Sequence, residues 1–184
     1  MGVPGIRVAN RGKLILGIGN SLRGDDGVGE RVVRALENLG VASDTCRLMI
    51  SHQWIPELVL DFSDVDRLIV IDASVAHSPG EIRLQRVGSR VKGSKAGAKH
   101  GNKLTSERIR KSCATGVDRQ FGSHEWDIHR VLTLADLLGY SSPRACIWTI
   151  GVKSLEYDES LTPVVSRSVE RLVRHLAKDH CWPR

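Results

Sequence analysis

The sequence predicts a three-layer α/β/α fold on a mostly parallel, five-stranded mixed sheet with helices on both faces. Three observations predict it. Short apolar runs that end at glycine or aspartate alternate with longer segments whose apolar residues recur at helical spacing. That alternation is the pattern of parallel strands joined by helical crossovers. One further run, 81–87, follows the tight turn Ser78-Pro79-Gly80 instead of a helix, which predicts an edge strand and a mixed sheet.

The elements follow in order. Lys13-Leu-Ile-Leu-Gly-Ile-Gly19 is continuously apolar and reads as a strand buried on both faces. The loop Asn20-Ser-Leu-Arg-Gly-Asp-Asp-Gly27 leads to Val28, Val32, Leu36 and Leu39 at helical spacing, with Gly40 as the stop. Thr45–Ile50 is a second strand. Pro56 fits the first turn of a short helix that runs to about Asp61. Arg67–Ile71 is a third strand with Asp72 at its C-terminal end. Beyond the edge strand, residues 88–120 lose all apolar periodicity, and their Gly, Lys, Ser and Ala cannot build a core. This stretch reads as a long, basic, mobile loop. Ser123 is the expected N-cap of a helix carrying Ile128, Val131, Leu132, Ala135 and Leu138 and ending at Gly139. Ala145–Ile150 is another buried strand. Thr162 and Pro163 read as N-cap and first position of a last helix, with Val165, Val169, Leu172, Val173 and Leu176 on one stripe.

Composition bounds the function. The 184 residues are 41% apolar, 26% charged and 4% aromatic, an ordinary globular balance for a single domain over 1–184 with an aliphatic core. No apolar run approaches the roughly 18 residues of a membrane span, and the first residues hold no hydrophobic stretch of the signal-peptide kind, so the expected location is the cytoplasm. Cys46, Cys113, Cys146 and Cys181 form no CxxC pair, which argues against a thiolate zinc site; Cys46 and Cys146 read as small buried hydrophobes. The net charge of +6 belongs to one segment: residues 83–119 hold 11 Lys and Arg against Glu107 and Asp118.

Ligands of open α/β sheets bind at the C-terminal ends of the strands. Two strand ends deliver carboxylates there, Asp25 and Asp26 after the first and Asp72 after the third, and His124 opens the helix after the basic loop. Two carboxylates and an imidazole on one crevice suit a divalent cation. Taken singly, each has a simpler reading as a cap, a turn former or a surface group; the combination favours the metal. Competing motifs fail. GxGxxG breaks at Leu22, HExxH breaks at Ile128, and GxSxG is absent. His52, His77, His100, His175 and His180 have no evident partner in the sequence and read as solvent-facing.

Four blocks in order carry a family resemblance. LILGIGNSLRGDDGVGERV, HQWIPELVLDFSDVDRLIVIDAS, FGSHEWDIHRVLTLADLLG and IWTIGVKSLEYDESLTPVVSRSV together resemble the hydrogenase maturation endopeptidases, across about 13–177 apart from 88–120. The resemblance implies a phosphorylase/hydrolase-like sheet and a single cut that removes the C-terminal extension of a nickel–iron hydrogenase large-subunit precursor. It implies that Asp26, Asp72 and His124 are the catalytic and metal-contacting residues, with nickel delivered by the precursor rather than permanently bound. Asp25 is the member of its pair that does not match and is read as orienting the loop or bonding its backbone. The implied enzyme is an aspartic or metal-dependent-type protease, monomeric, with the precursor as its partner and no membrane. Ser51-His52-Gln53 replaces the family's acidic turn after the second strand, and this His-Gln-x-x-Pro-Glu-Leu form resembles the subgroup serving bidirectional or soluble hydrogenases. The rival readings are another hydrolase of the same fold, or a module that binds nucleic acid or another anionic partner through the basic loop. Nucleic acid is disfavoured, because that loop holds no aromatic residue before Phe121.

Overall fold

Strands buried on both faces must be apolar at successive positions, and β1 (Gly12–Ile18) meets that demand: Leu14, Ile15, Leu16 and Ile18 are all buried. The structure, a computed structural model, describes residues 12–62, 65–87, 127–140 and 142–179. With β2 (Cys46–Ser51), β3 (Val65–Ser74), β4 (Ile82–Val87) and β5 (Arg144–Gly151), β1 forms a five-stranded sheet of order β2-β1-β3-β5-β4. The first four in that order run parallel, and β4 closes one edge antiparallel to β5. The predicted mixed sheet with 81–87 at its edge is what forms.

Helices cover both faces. On one, Leu14, Leu16, Leu68, Val70, Ala145 and Ile147 pack beneath α2 (Leu58–Asp61) and α3 (Ile128–Leu137), with Trp54 and Phe62 filling in. On the other, Ile15, Ile69, Ile71, Cys146 and Ile150 pack beneath α1 (Val28–Asn38) and α4 (Pro163–Asp179). Cys46 and Cys146 are buried free thiols, and burial pushes the Cys146 thiol up to about 12. Among the described residues, no helix is long and apolar enough to cross a membrane.

Two of the boundaries that differ from the sequence reading bear on the site. β3 continues past Ile71 to Ser74, because Asp72, Ala73 and Ser74 go on pairing with Thr149, Ile150 and Gly151 of β5; backbone pairing does not require apolar side chains. α3 begins at Ile128 with Asp127 as its N-cap, whose carboxylate accepts from the Arg130 N–H at 2.9 Å, and not with Ser123. Ser123, His124 and the basic stretch 88–120 lie outside the described residues.

The close approach of α1 to β1 explains the glycines of the first sequence block. A Cβ on Gly29 would lie 2.2 Å from the Ile18 carbonyl oxygen, and one on Gly17 would lie 2.3 Å from the Gly29 carbonyl oxygen. These contacts are backbone to backbone and cannot yield by side-chain rotation. Gly29→Ala is therefore expected to destabilise the protein by at least about 2–3 kcal/mol. That corresponds to a fall of roughly 5–10 °C in the thermal midpoint, measurable by calorimetry.

Candidate active site

Because β1, β2, β3 and β5 run parallel, the loops at their C-terminal ends share one edge of the sheet. The β1–α1 loop starts at Gly19, whose φ of +129° suits glycine and where a Cβ would lie 1.9 Å from the Asp26 carbonyl oxygen. The chain then turns, with the Arg23 N–H donating to the Asn20 carbonyl at 3.0 Å. A 3₁₀ turn, Gly24–Gly27, carries both aspartates into the start of α1.

The two aspartates diverge. Asp25 is fully buried. Its Oδ2 accepts from the N–H groups of Lys153 at 2.9 Å and Ser154 at 3.1 Å and from the Thr162 hydroxyl at 2.9 Å, and its Oδ1 accepts from the Thr162 N–H at 2.7 Å. The carboxylate thus ties the β1–α1 loop to the β5–α4 loop. Thr162 begins α4 as predicted, its carbonyl accepting from the Ser166 N–H at 2.9 Å. Asp26 is half-buried and its Oδ2 accepts from the Asn20 N–H at 3.0 Å.

Asp72 projects from β3, half-buried. Its Oδ1 accepts from the Ala73 N–H at 2.8 Å and its Oδ2 from the Trp54 indole N–H at 3.2 Å. Desolvation pushes its carboxyl up to about 7; the two hydrogen bonds oppose this, and the charge of Asp26 adds to it. Asp72 and Asp26 therefore share one electrostatic neighbourhood. A carboxyl held near neutrality can pass a proton to and from a reacting group, or exchange that proton for a cation. Trp54 was not singled out by sequence, since an indole in an apolar stretch looks like core until its N–H is seen to have a polar partner.

His124, the third predicted residue, lies outside the described residues. Among the described residues no group of three His, Cys, Asp or Glu side chains could hold a metal; Asp26 and Asp72 supply two oxygen donors. One other histidine, His77, corrects the sequence reading, while His175 is exposed as expected and also has an aromatic neighbour. His77 is half-buried, its Nε2 lying 3.1 Å from the hydroxyl of Thr149, the register partner of Asp72, and its Nδ1 is buried without a partner. His175 meets the Trp148 ring edge-on at 5.2 Å between centroids. His52 is exposed as expected, and His100 and His180 lie outside the described residues. Around the same edge, Leu22, Val75 and Tyr157 expose 41%, 65% and 83% of their surface, and the Leu22 carbonyl accepts from the Asp158 N–H at 3.2 Å. Large apolar groups exposed around the loops that carry Asp26 and Asp72 offer a surface on which a polypeptide can lie.

No protein-family model matches the chain. A 75-residue segment is 35% identical to the hydrogenase 2 maturation protease of Escherichia coli (strain K12); it covers 40% of this chain and 46% of that protein, so the match spans about half the relative's length. The hydrogenase maturating endopeptidase HybD from E. coli superposes with a TM-score of 0.62 over 90% of this chain and 89% of its own, at 23% identity. The fold is that of the hydrogenase maturation endopeptidases. A hydrogenase 2 maturation peptidase from Thaumarchaeota archaeon SCGC_AB-539-E09 agrees, with a TM-score of 0.60 over 91% of this chain and 96% of that one at 20% identity. So does the [NiFe] hydrogenase maturation protease HycI from Thermococcus kodakarensis KOD1, with a TM-score of 0.57 over 91% of each chain at 19% identity. The resemblance carried by the four sequence blocks thus extends to a shared maturation-endopeptidase fold.

Two stability outcomes follow from this geometry. Asp25→Asn replaces an acceptor with a donor facing buried N–H groups, and is expected to cost about 2–4 kcal/mol in urea unfolding. Asp72 acts in the opposite sense. Its carboxyl holds a proton to about pH 7 when folded but only to 3.8 when unfolded. The folded chain therefore binds the extra proton between those values, and stability falls as pH rises through that window. Asp72→Asn is expected to flatten the fall and to raise the thermal midpoint at pH 8 by several degrees, as read by calorimetry from pH 4 to 8.

Proposed function

We propose that the protein is an endopeptidase that removes the C-terminal extension of a nickel–iron hydrogenase large-subunit precursor after nickel insertion. The observation that carries this reading is the pair Asp26 and Asp72 at the C-terminal edge of a maturation-endopeptidase sheet, Asp72 with its carboxyl raised to about 7. A carboxyl in that state favours the arrival of a cation, whose charge replaces its proton.

Nickel belongs to the substrate on this reading, held by precursor cysteines, and Asp26, Asp72 and His124 complete its coordination. An empty precursor lacks the charge that Asp26 and Asp72 recognise, so the enzyme acts as a checkpoint on metal insertion. Hydrolysis adds water across the amide: the water oxygen bonds to the carbonyl carbon, the C–N bond breaks, and the leaving nitrogen takes a proton. The attacking water gives up one proton and the leaving nitrogen takes one, exchanged through solvent while Asp26 and Asp72 hold the cation. The precursor's nickel positions the chain and polarises the scissile carbonyl. The exposed Leu22, Val75 and Tyr157 offer the surface on which the precursor rests. The enzyme works in the cytoplasm as a monomer, with the precursor as its partner.

The test is incubation with nickel-loaded and nickel-free precursor, read by intact mass. Loss of the extension is expected from the loaded precursor alone. Asp26→Ala and His124→Ala are each expected to slow cleavage roughly 100-fold or more, and Asp26→Ala to leave the protein folded, because its side chain is half-buried and accepts from one described donor. Equal cleavage of both precursors, or normal cleavage by His124→Ala, would overturn the reading.

A further inference from the structure

The opposite edge of the sheet carries charge of the other sign. Lys13 on β1 is in register with Arg67 on β3, and Arg67 with Arg144 on β5. Residues paired in parallel strands point to the same face, and adjacent strands lie about 4.8 Å apart, so three cations stand in one row within about 10 Å. Ile15, Ile69 and Cys146, two residues further along each strand, are buried beneath α1 and α4; the row begins where that core ends. Lys13, the register partner of Cys46 on β2, is 9% exposed, so its side chain lies largely within the fold and not in bulk water.

The three cations line a cleft of about 560 Å³ together with Asp66, Ser43 and Thr45, and Asp66 is the one carboxylate among the described lining residues. The volume falls within the range of small-molecule sites. It exceeds what a single orthophosphate fills. Two guanidinium forks and an ammonium match the oxygens of linked phosphates, and the two hydroxyls can bond further oxygens. From these observations we propose that the cleft is a binding site for a diphosphate-bearing anion, separate from the Asp26–Asp72 crevice. Arg67 and Asp72 lie five residues apart on β3, about 16 Å along the strand.

The test uses the full chain with inorganic pyrophosphate at fixed ionic strength, by titration calorimetry and ¹H–¹⁵N shift mapping. Saturable binding is expected, with the largest shifts at Gly12 and Gly40, which line the cleft. Arg67→Gln/Arg144→Gln is expected to weaken binding at least about tenfold. Arg144→Gln alone, at an exposed strand end, is expected to weaken it severalfold and serves if the double variant fails to fold. An ADP arm separates two sources of the same chemistry: tighter binding than pyrophosphate indicates a nucleotide, equal binding a free diphosphate. No saturable binding at millimolar pyrophosphate, unchanged affinity in the arginine variants, or shifts confined to the basic stretch 88–119 would each overturn the proposal.

Discussion

The buried carboxylate of Asp25 holds together the loops at the C-terminal edge of the sheet. A charge with no exposure is costly unless every lone pair finds a donor, and Asp25 finds four: three backbone N–H groups and one hydroxyl. All come from the segment that joins β5 to α4, so one side chain fixes two loops to each other. The Asp25 N–H completes the tie by donating to the Ser154 carbonyl at 3.0 Å. With Asp25 turned inward on a tight 3₁₀ turn, its neighbour Asp26 is left half-buried.

Three aspartates at one edge thus do three different things, and the number and kind of their neighbours decides which. Asp25 has four donors and serves as a structural tie. Asp26 accepts from one described donor, the Asn20 N–H, and keeps open surface. Asp72 has two donors, is desolvated, and feels the charge of Asp26, so it holds its proton to about pH 7. The unfavourable electrostatics of Asp72 are the feature a cation would relieve. Sites that lower fold stability in order to bind a ligand commonly show groups with shifted proton affinity.

The sheet is electrically polarised from end to end. Asp26 lies just ahead of Val28, the first residue of α1, and the cleft carrying Lys13, Arg67 and Arg144 includes Gly40, just beyond the end of α1. Carboxylates near a helix start and cations near a helix end both complement the helix dipole. The same dipole that tolerates the carboxylates at one end tolerates the row of cations at the other.

The sequence by itself determined the elements and their order, because apolar runs and helical spacing are local signals that burial enforces. Strands at 13–19, 67–71 and 145–150, the edge strand at 81–87 and the stops at Gly40 and Gly139 were legible to within a few residues. Asp25, Asp26 and Asp72 were legible as candidates because they lie at the ends of apolar strands, and the family resemblance, not the strand pattern, chose Asp26 from its pair. The tertiary structure decided what those residues experience. The partners of Asp25 lie 128 to 137 residues away, the indole of Trp54 reaches Asp72 from the loop after β2, and His77 meets Thr149 across 72 residues. Lys13, Arg67 and Arg144 become one row only through strand register. Long-range pairing leaves no mark on local residue pattern, and burial, proton affinity and charge neighbourhood are all properties of long-range pairing.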